Sequence, residues 1–307
     1  MNTASKKTVS NRLTFRMPAL LCAAAALALG ALPNLRADGS KVHALVNFEV
    51  SDEYLTPRGM LVQNKGLTYQ QLLLGFVDLY QGGSGELIDD VTFVPGVWAD
   101  FTSRPIAIHV KGKGAADWVE TDPIAGLSIK FAKVMKLDVT YTAFDMHILD
   151  IGTSQHLETK LSLDDSSYLG SFALNPYISY WKELDGKATA AANFNVPSSG
   201  YTDIGIDPGC KEGAWKFDAP LRMLLPEKNF YGTHFAKKST VGLYEIGAKG
   251  TVSLDFMPKG YGFWSFHIGI KYMKFVDKNL QHLALGGGFG SPISGNTQVY
   301  AGFSTFF

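Results

Sequence analysis

The sequence predicts an all-β fold, a transmembrane antiparallel up-and-down β-barrel of about 12 strands, with about 10 to 14 compatible. Three observations carry that prediction. Two-residue alternation of apolar and polar side chains runs through nearly every readable segment and on to the last residue. The chain opens on a stretch with the makeup of an export leader. After that leader no apolar run reaches the roughly 20 residues that a membrane helix needs. An exported chain of this kind enters a bilayer only as a closed barrel, because every backbone amide in lipid must pair internally. The soluble alternative is an all-β sandwich.

Residues 1–37 read as a signal peptide, leaving 38–307 as the barrel. Lys6, Lys7, Arg12 and Arg16 give a positive start, and Met17 to Leu32 is rich in Ala and Leu. Ala37 is the expected cleavage site. Cys22 follows Leu20-Leu21, without the small residue that a lipidation site wants. The leader carries five of the 28 Lys+Arg and none of the 28 Asp+Glu, so the mature part has 23 against 28, a net charge near −5. That balance argues against a nucleic-acid partner. Cys210 is the one cysteine left, which excludes an internal disulfide or a thiolate metal cluster.

The closing strand, Thr297 to Phe307, sets Val299, Ala301, Phe303, Thr305 and Phe307 on one face. A final strand ending on Phe resembles those of bacterial outer-membrane barrels, where the ending is the signal for the barrel assembly machinery. At the other end Val42, Ala44, Val46, Phe48 and Val50 alternate with His43, Leu45, Asn47, Glu49 and Ser51. Tyr54 to Gly59 reads as a turn. Leu67 to Tyr80 is a strand with blurred alternation, and Gly82 to Gly85 a loop.

Val91, Phe93, Pro95, Val97, Ala99 and Phe101 share the next apolar face, and Arg104 to Ala116 reads as a loop. Trp118, Glu120, Asp122, Ser128 and Lys130 are placed opposite Val119, Ala125, Leu127, Ile129 and Phe131. Met135 to Ala143, Leu157 to Leu163 and Phe172 to Trp181 repeat the pattern. Gly186 to Ser239 is the least readable stretch, with strands expected at Ala188–Val196 and Leu221–Tyr231 and a long loop at Pro197–Pro220. Tyr244 to Phe256 and Trp264 to Tyr272 alternate clearly, and Gly286 to Gly295 reads as a loop. Helical spacing is found nowhere after the leader.

Arg and Lys cost about 2–4 kcal/mol each at mid-membrane on a lipid face, so the charged faces should point inward. Glu49, Arg58, Glu120, Asp122, Asp138, Glu158, Lys160 and Lys271 are the residues expected to line a pore and set its field. The competing reading is that such charges merely solvate or plug a narrow interior. Tyr80, Trp98, Trp118, Trp181, Trp264 and Tyr272 are candidates for interface girdles, although Trp98, Trp118 and Trp181 fall on polar faces. Ser265 and His267 share a face and form the weak case for a lipid hydrolase, lacking a nominated third group. No spacing indicates a metal or cofactor site, and oligomeric state is open.

Three segments resemble the TorF-type porins of Gram-negative envelopes. They are VSDEYLTPRG, with Tyr54, Arg58 and Gly59, then WVETDPIAGLSIKF, and LNPYISYWKELDG. The resemblance implies an outer-membrane location, contact with lipid, and passive diffusion of small polar solutes or ions through the barrel.

Overall fold

The computed structural model describes residues 41–63, 66–104, 118–147, 153–185, 198–232, 239–283 and 292–307. The leader, Ala188–Val196 and most of the loops expected at Arg104–Ala116 and Gly286–Gly295 lie outside the described residues.

In chain order the strands are β1 (Val42–Ser51), β2 (Tyr54–Leu55), β3 (Leu61–Gln63), β4 (Thr68–Gln81), β5 (Ile88–Thr102), β6 (Trp118–Phe131), β7 (Met135–Met146), β8 (Ser154–Leu163) and β9 (Phe172–Ala173). They continue as β10 (Pro176–Asp185), β11 (Gly200–Ile206), β12 (Gly209–Glu212), β13 (Trp215–Asp218), β14 (Leu221–Pro226), β15 (Leu243–Ser253), β16 (Phe263–Phe275) and β17 (Gly295–Phe306). Every pairing is antiparallel, and β1 closes on β17 from Leu45↔Phe306 to Ser51↔Tyr300. Three staves of the barrel are each broken into two pieces: β9 with β10, β11 with β12, and β13 with β14. Counted as staves, the result is a closed 12-strand antiparallel barrel.

The expected loop at Pro197–Pro220 is corrected by this topology. It is a hairpin, β11–β12 against β13–β14, turning at Gly213-Ala214. Pro208 and Pro220 stand at the two breaks, and a proline offers no ladder donor. Backbone pairing persists across the breaks through Ala219 N to Pro208 O at 2.7 Å and Gly247 N to Pro220 O at 2.9 Å. The strand expected at Leu221–Tyr231 stops at Pro226. Short helices do occur, at Ser166–Leu169 and Lys278–Leu283, too brief for their period to show.

Connections alternate in length. At the end holding Lys41 and Phe307 they are 82–87, 132–134, 164–171, 213–214 and 254–262, none longer than nine residues. The 132–134 turn is tight because Ala132 and Lys133 both take positive φ, 49° and 65°. At the opposite end they are long, beginning with 52–67. The outward face is a belt of apolar side chains, among them Val46, Phe48, Ile204, Ile268, Val299 and Phe303.

Trp118 is a second correction. A bulge lets Asp100 pair with Glu120 but Phe101 with Trp118, so Val119 and Glu120 both enter the barrel. Trp118 turns outward and stacks on Phe101 at 5.6 Å, while Val119 is fully buried against Tyr54. Blurring in β4 has another origin: Leu72, Leu74 and Phe76 share the inward face with Gln70, so both faces of the strand are apolar.

One loose edge is capped rather than paired. Asp165 Oδ1 accepts from the backbone N–H of Leu174 at 2.8 Å and of Asn175 at 3.0 Å, where Asn175 takes φ 45° and separates β9 from β10. Asp165→Ala should cost about 1 kcal/mol. Hydrogen exchange should show it as faster exchange confined to 172–175.

Candidate functional site

Cross-strand register decides which side chains enter the barrel. Inward positions carry Glu49, Asp100, Glu120, Asp122, Asp138, Glu158, Lys160, Glu245 and Lys271. Seven further inward positions among the described residues are glycine: Gly96, Gly126, Gly205, Gly209, Gly247, Gly269 and Gly302. Three of these are covered by a neighbouring ring, since a Cβ on Gly205 would meet Tyr177 at 2.6 Å, one on Gly269 would meet Tyr300 at 2.3 Å and one on Gly302 would meet His267 at 2.8 Å. The rings rest against the wall where no side chain stands, which keeps the centre clear.

The half nearer the short turns is therefore polar and hollow. One cavity of about 410 Å³ is lined by Ser128, Lys130, Lys136, Asp138, Glu158 and Lys160, among others. A second, of about 560 Å³, is lined by Asn47, Glu49, Lys249, Ser265, His267 and Lys271, among others. Asp138 is held by Lys136 at 3.0 Å, and the Lys160 ammonium lies 4.0 Å from the centre of the Tyr177 ring. Glu49 pairs with His267 at 3.2 Å, and Lys271 sits in the field of Glu245 and Glu49.

The other half is filled. The expected turn at Tyr54–Gly59 is the tip of a hairpin, β2–β3, folded into the barrel. Its loop is tied by Gly59 N to Thr56 O at 2.9 Å and Met60 N to Thr56 Oγ1 at 3.1 Å. Gly59 needs its φ of +83°, and a Cβ there would meet Leu243 at 2.9 Å. Leu55 and Leu61 pack into a core with Leu243, Phe275, Leu280 and Phe230. That core is built by the hairpin, the 227–232 connection and the Lys278–Leu283 helix, and it seals the long-connection end.

Polar bonds fasten the hairpin at several points. Tyr54 Oη donates to Glu120 Oε2 at 2.8 Å, and Tyr231 Oη donates to the Arg58 carbonyl at 2.8 Å. Arg222 donates to the Pro57 carbonyl while pairing with Asp203 at 2.7 Å and Glu245 at 2.9 Å. Arg58, expected to line a pore, is 7% exposed and lies inside the barrel at the tip of the hairpin. At the hairpin's root Glu53 accepts from Asn296, and partial burial still raises its carboxyl above the usual range.

Glu120 and Asp122 point inward as expected, but they lie buried beside Tyr54 with Asp100, not in the hollow half. Trp98 and Trp181 also lie inside, Trp98 against Tyr54 at 5.6 Å, so neither belongs to a girdle. Tyr80, Trp264 and Tyr272 face outward. The Asp203–Arg222–Glu245 group escaped sequence reading because Asp203 and Arg222 come from the stretch broken by prolines.

Ser265 and His267 share the inward face, and Glu49 supplies His267 with a carboxylate. Among the described bonds none joins Ser265 to His267. A tighter pair, Ser154 Oγ to His156 Nε2 at 2.8 Å, is sealed in the wall between Phe144 and Trp181. His267 lines the cavity of about 560 Å³, whereas His156 is packed between two rings in the wall.

No family model matches the chain, and no curated protein does. The chain is similar to the NanC porin at 9% identity and TM-score 0.46, covering 85% of this chain and 98% of that one. It is similar to an outer membrane channel from Pseudomonas putida F1 at 10% and 0.45, covering 87% and 95%. A third likeness, to the translocator domain of the autotransporter NalP from Neisseria meningitidis, stands at 10% and 0.40, covering 94% and 97%.

Proposed function

We propose that this chain is an outer-membrane channel of porin kind, passing small polar solutes or ions, and that its inward hairpin closes it. The apolar outer belt suits hydrocarbon, and paired backbone throughout the staves meets the requirement that lipid imposes. The short-turn end would face the periplasm, after export and removal of residues 1–37. The barrel assembly machinery would then recognise the strand that ends at Phe307.

The observation that carries the reading is the inner wall of the hollow half. A barrel whose task is to be solid would fill its interior with side chains. Here inward glycines leave polar cavities of about 410 and 560 Å³. Glu49, Asp138, Glu158, Lys160 and Lys271 line that path and would set its field. Arg58, Glu120 and Asp122 belong instead to the closure.

A plugged, structural barrel is the second reading, and the apolar core at the long-connection end favours it. Planar-bilayer recording separates the two. The wild type should conduct in rare discrete steps, and Lys271→Glu should shift the reversal potential toward cation preference. Absence of steps in both the wild type and a variant without the hairpin would leave the structural reading standing.

A further inference from the structure

We propose that the aromatic cage holding the Arg58 side chain is a recognition site for organic cations, with Arg58 as its internal occupant. The guanidinium carbon lies 4.7 Å from the centre of the Phe144 ring and 5.2 Å from that of Trp181. The cage is braced: Trp181 stacks on His156 at 4.5 Å and on Tyr201 at 5.2 Å, and Phe230 meets Trp181 edge-on at 5.9 Å. Ring faces carry negative potential, and the attraction for a cation strengthens when water is excluded.

Glu120 and Asp122 stand within electrostatic reach of the guanidinium. Among the described residues Arg58 nevertheless forms no ion pair with either, and its buried Nε has no hydrogen-bond partner. A side chain present only to anchor the hairpin would gain most by closing on a carboxylate in bidentate fashion. This one sits over rings, while the nearby Glu120 is engaged by Tyr54 rather than by the guanidinium. That arrangement recognises a guanidinium or a small alkylammonium ion whatever molecule carries it.

A soluble cation of that shape competes with Arg58 for the cage. Its binding stands apart from conduction. The consequence, release of the hairpin and opening of the barrel, rests on the channel reading above.

The test uses full-length protein in detergent with ethylguanidinium chloride as probe and neutral N-ethylurea as its isostere. Arg58→Ala vacates the cage, and Arg58→Gln serves the same purpose if the alanine variant loses its compact band on an unboiled gel. Tryptophan fluorescence should change saturably with millimolar ethylguanidinium in the variant and at least about tenfold more weakly in the wild type, where the site is occupied. The change should vanish when Trp181→Phe is added, which identifies the reporter. It should also vanish with Phe144→Leu, which removes one wall of the cage. Equal responses to N-ethylurea and ethylguanidinium, or equal responses of wild type and variant, would overturn the proposal. Binding without any conductance in bilayers would sustain the site and overturn the channel reading instead.

Discussion

Removing residues 54–63 should raise the mean bilayer current about a hundredfold. Full burial of a leucine is worth about 1.5–3 kcal/mol, so Leu55 and Leu61 together hold the hairpin by about 3–6 kcal/mol. At about 1.4 kcal/mol per factor of ten, the lower figure keeps the open state near one part in a hundred. The deletion leaves 52–53 joined to residue 64, enough chain to link the neighbouring ends of β1 and β4. A milder version is Gly59→Val, which sets a β-branched side chain at φ +83° against Leu243, Phe275 and Leu280. It should raise open probability in the same direction, with the compact band retained on an unboiled gel. Unchanged current in the deletion variant, with that band intact, would mean that the hairpin is not the closure.

Arg222→Met should cost about 3–5 kcal/mol, the largest loss expected from a single side chain here. The guanidinium joins Asp203 on β11 to Glu245 on β15 and also reaches the Pro57 carbonyl of the hairpin. Without it two carboxylates face each other inside the wall, and the hairpin loses one of its fastenings. The measurement is the temperature at which the compact band converts to the unfolded one. Adding Asp203→Asn and Glu245→Gln should recover much of the loss, because the penalty is the uncompensated charge. By contrast Lys216→Met should change that temperature little, since Lys216 pairs with Asp218 from an exposed position. A full loss in the triple variant would show that the pair was not its cause.

How far the sequence alone reaches can be judged residue by residue. The outer faces of β1, β16 and β17 were legible because one face meets apolar surroundings and the other a polar interior, so period two is enforced on both. β11 to β13 were not, because Pro208 and Pro220 interrupt the staves and Gly205 replaces an inward side chain, whereas β14 was expected from Leu221 but five residues too long. Trp118 was misplaced by one bulge, which shifts the parity of everything beyond it. Thr-Pro-Arg-Gly was legible as a turn, yet turn chemistry says nothing of the direction in which a hairpin swings. A signal was available there: Leu55, Met60, Leu61 and Val62 are more apolar than a solvent-facing connection requires. Phe230, Tyr231, Leu280 and Leu283 carried the same signal in two other long connections, and the three segments meet in one core. The lumen charges divided less predictably, because only the hairpin's position separates Glu120 and Asp122 from Asp138 and Lys160.

In the channel proposed above, opened by removing residues 54–63, the inner wall would also serve as a sensing pore. Gly126 has more room than its fellows, since a Cβ there meets nothing closer than Thr140 Oγ1 at 3.2 Å. A thiol grafted at that spot, in a background where the native, outward Cys210 is replaced by serine, offers a single handle for tethering a receptor. Molecules captured by it would then register as interruptions in current, one at a time.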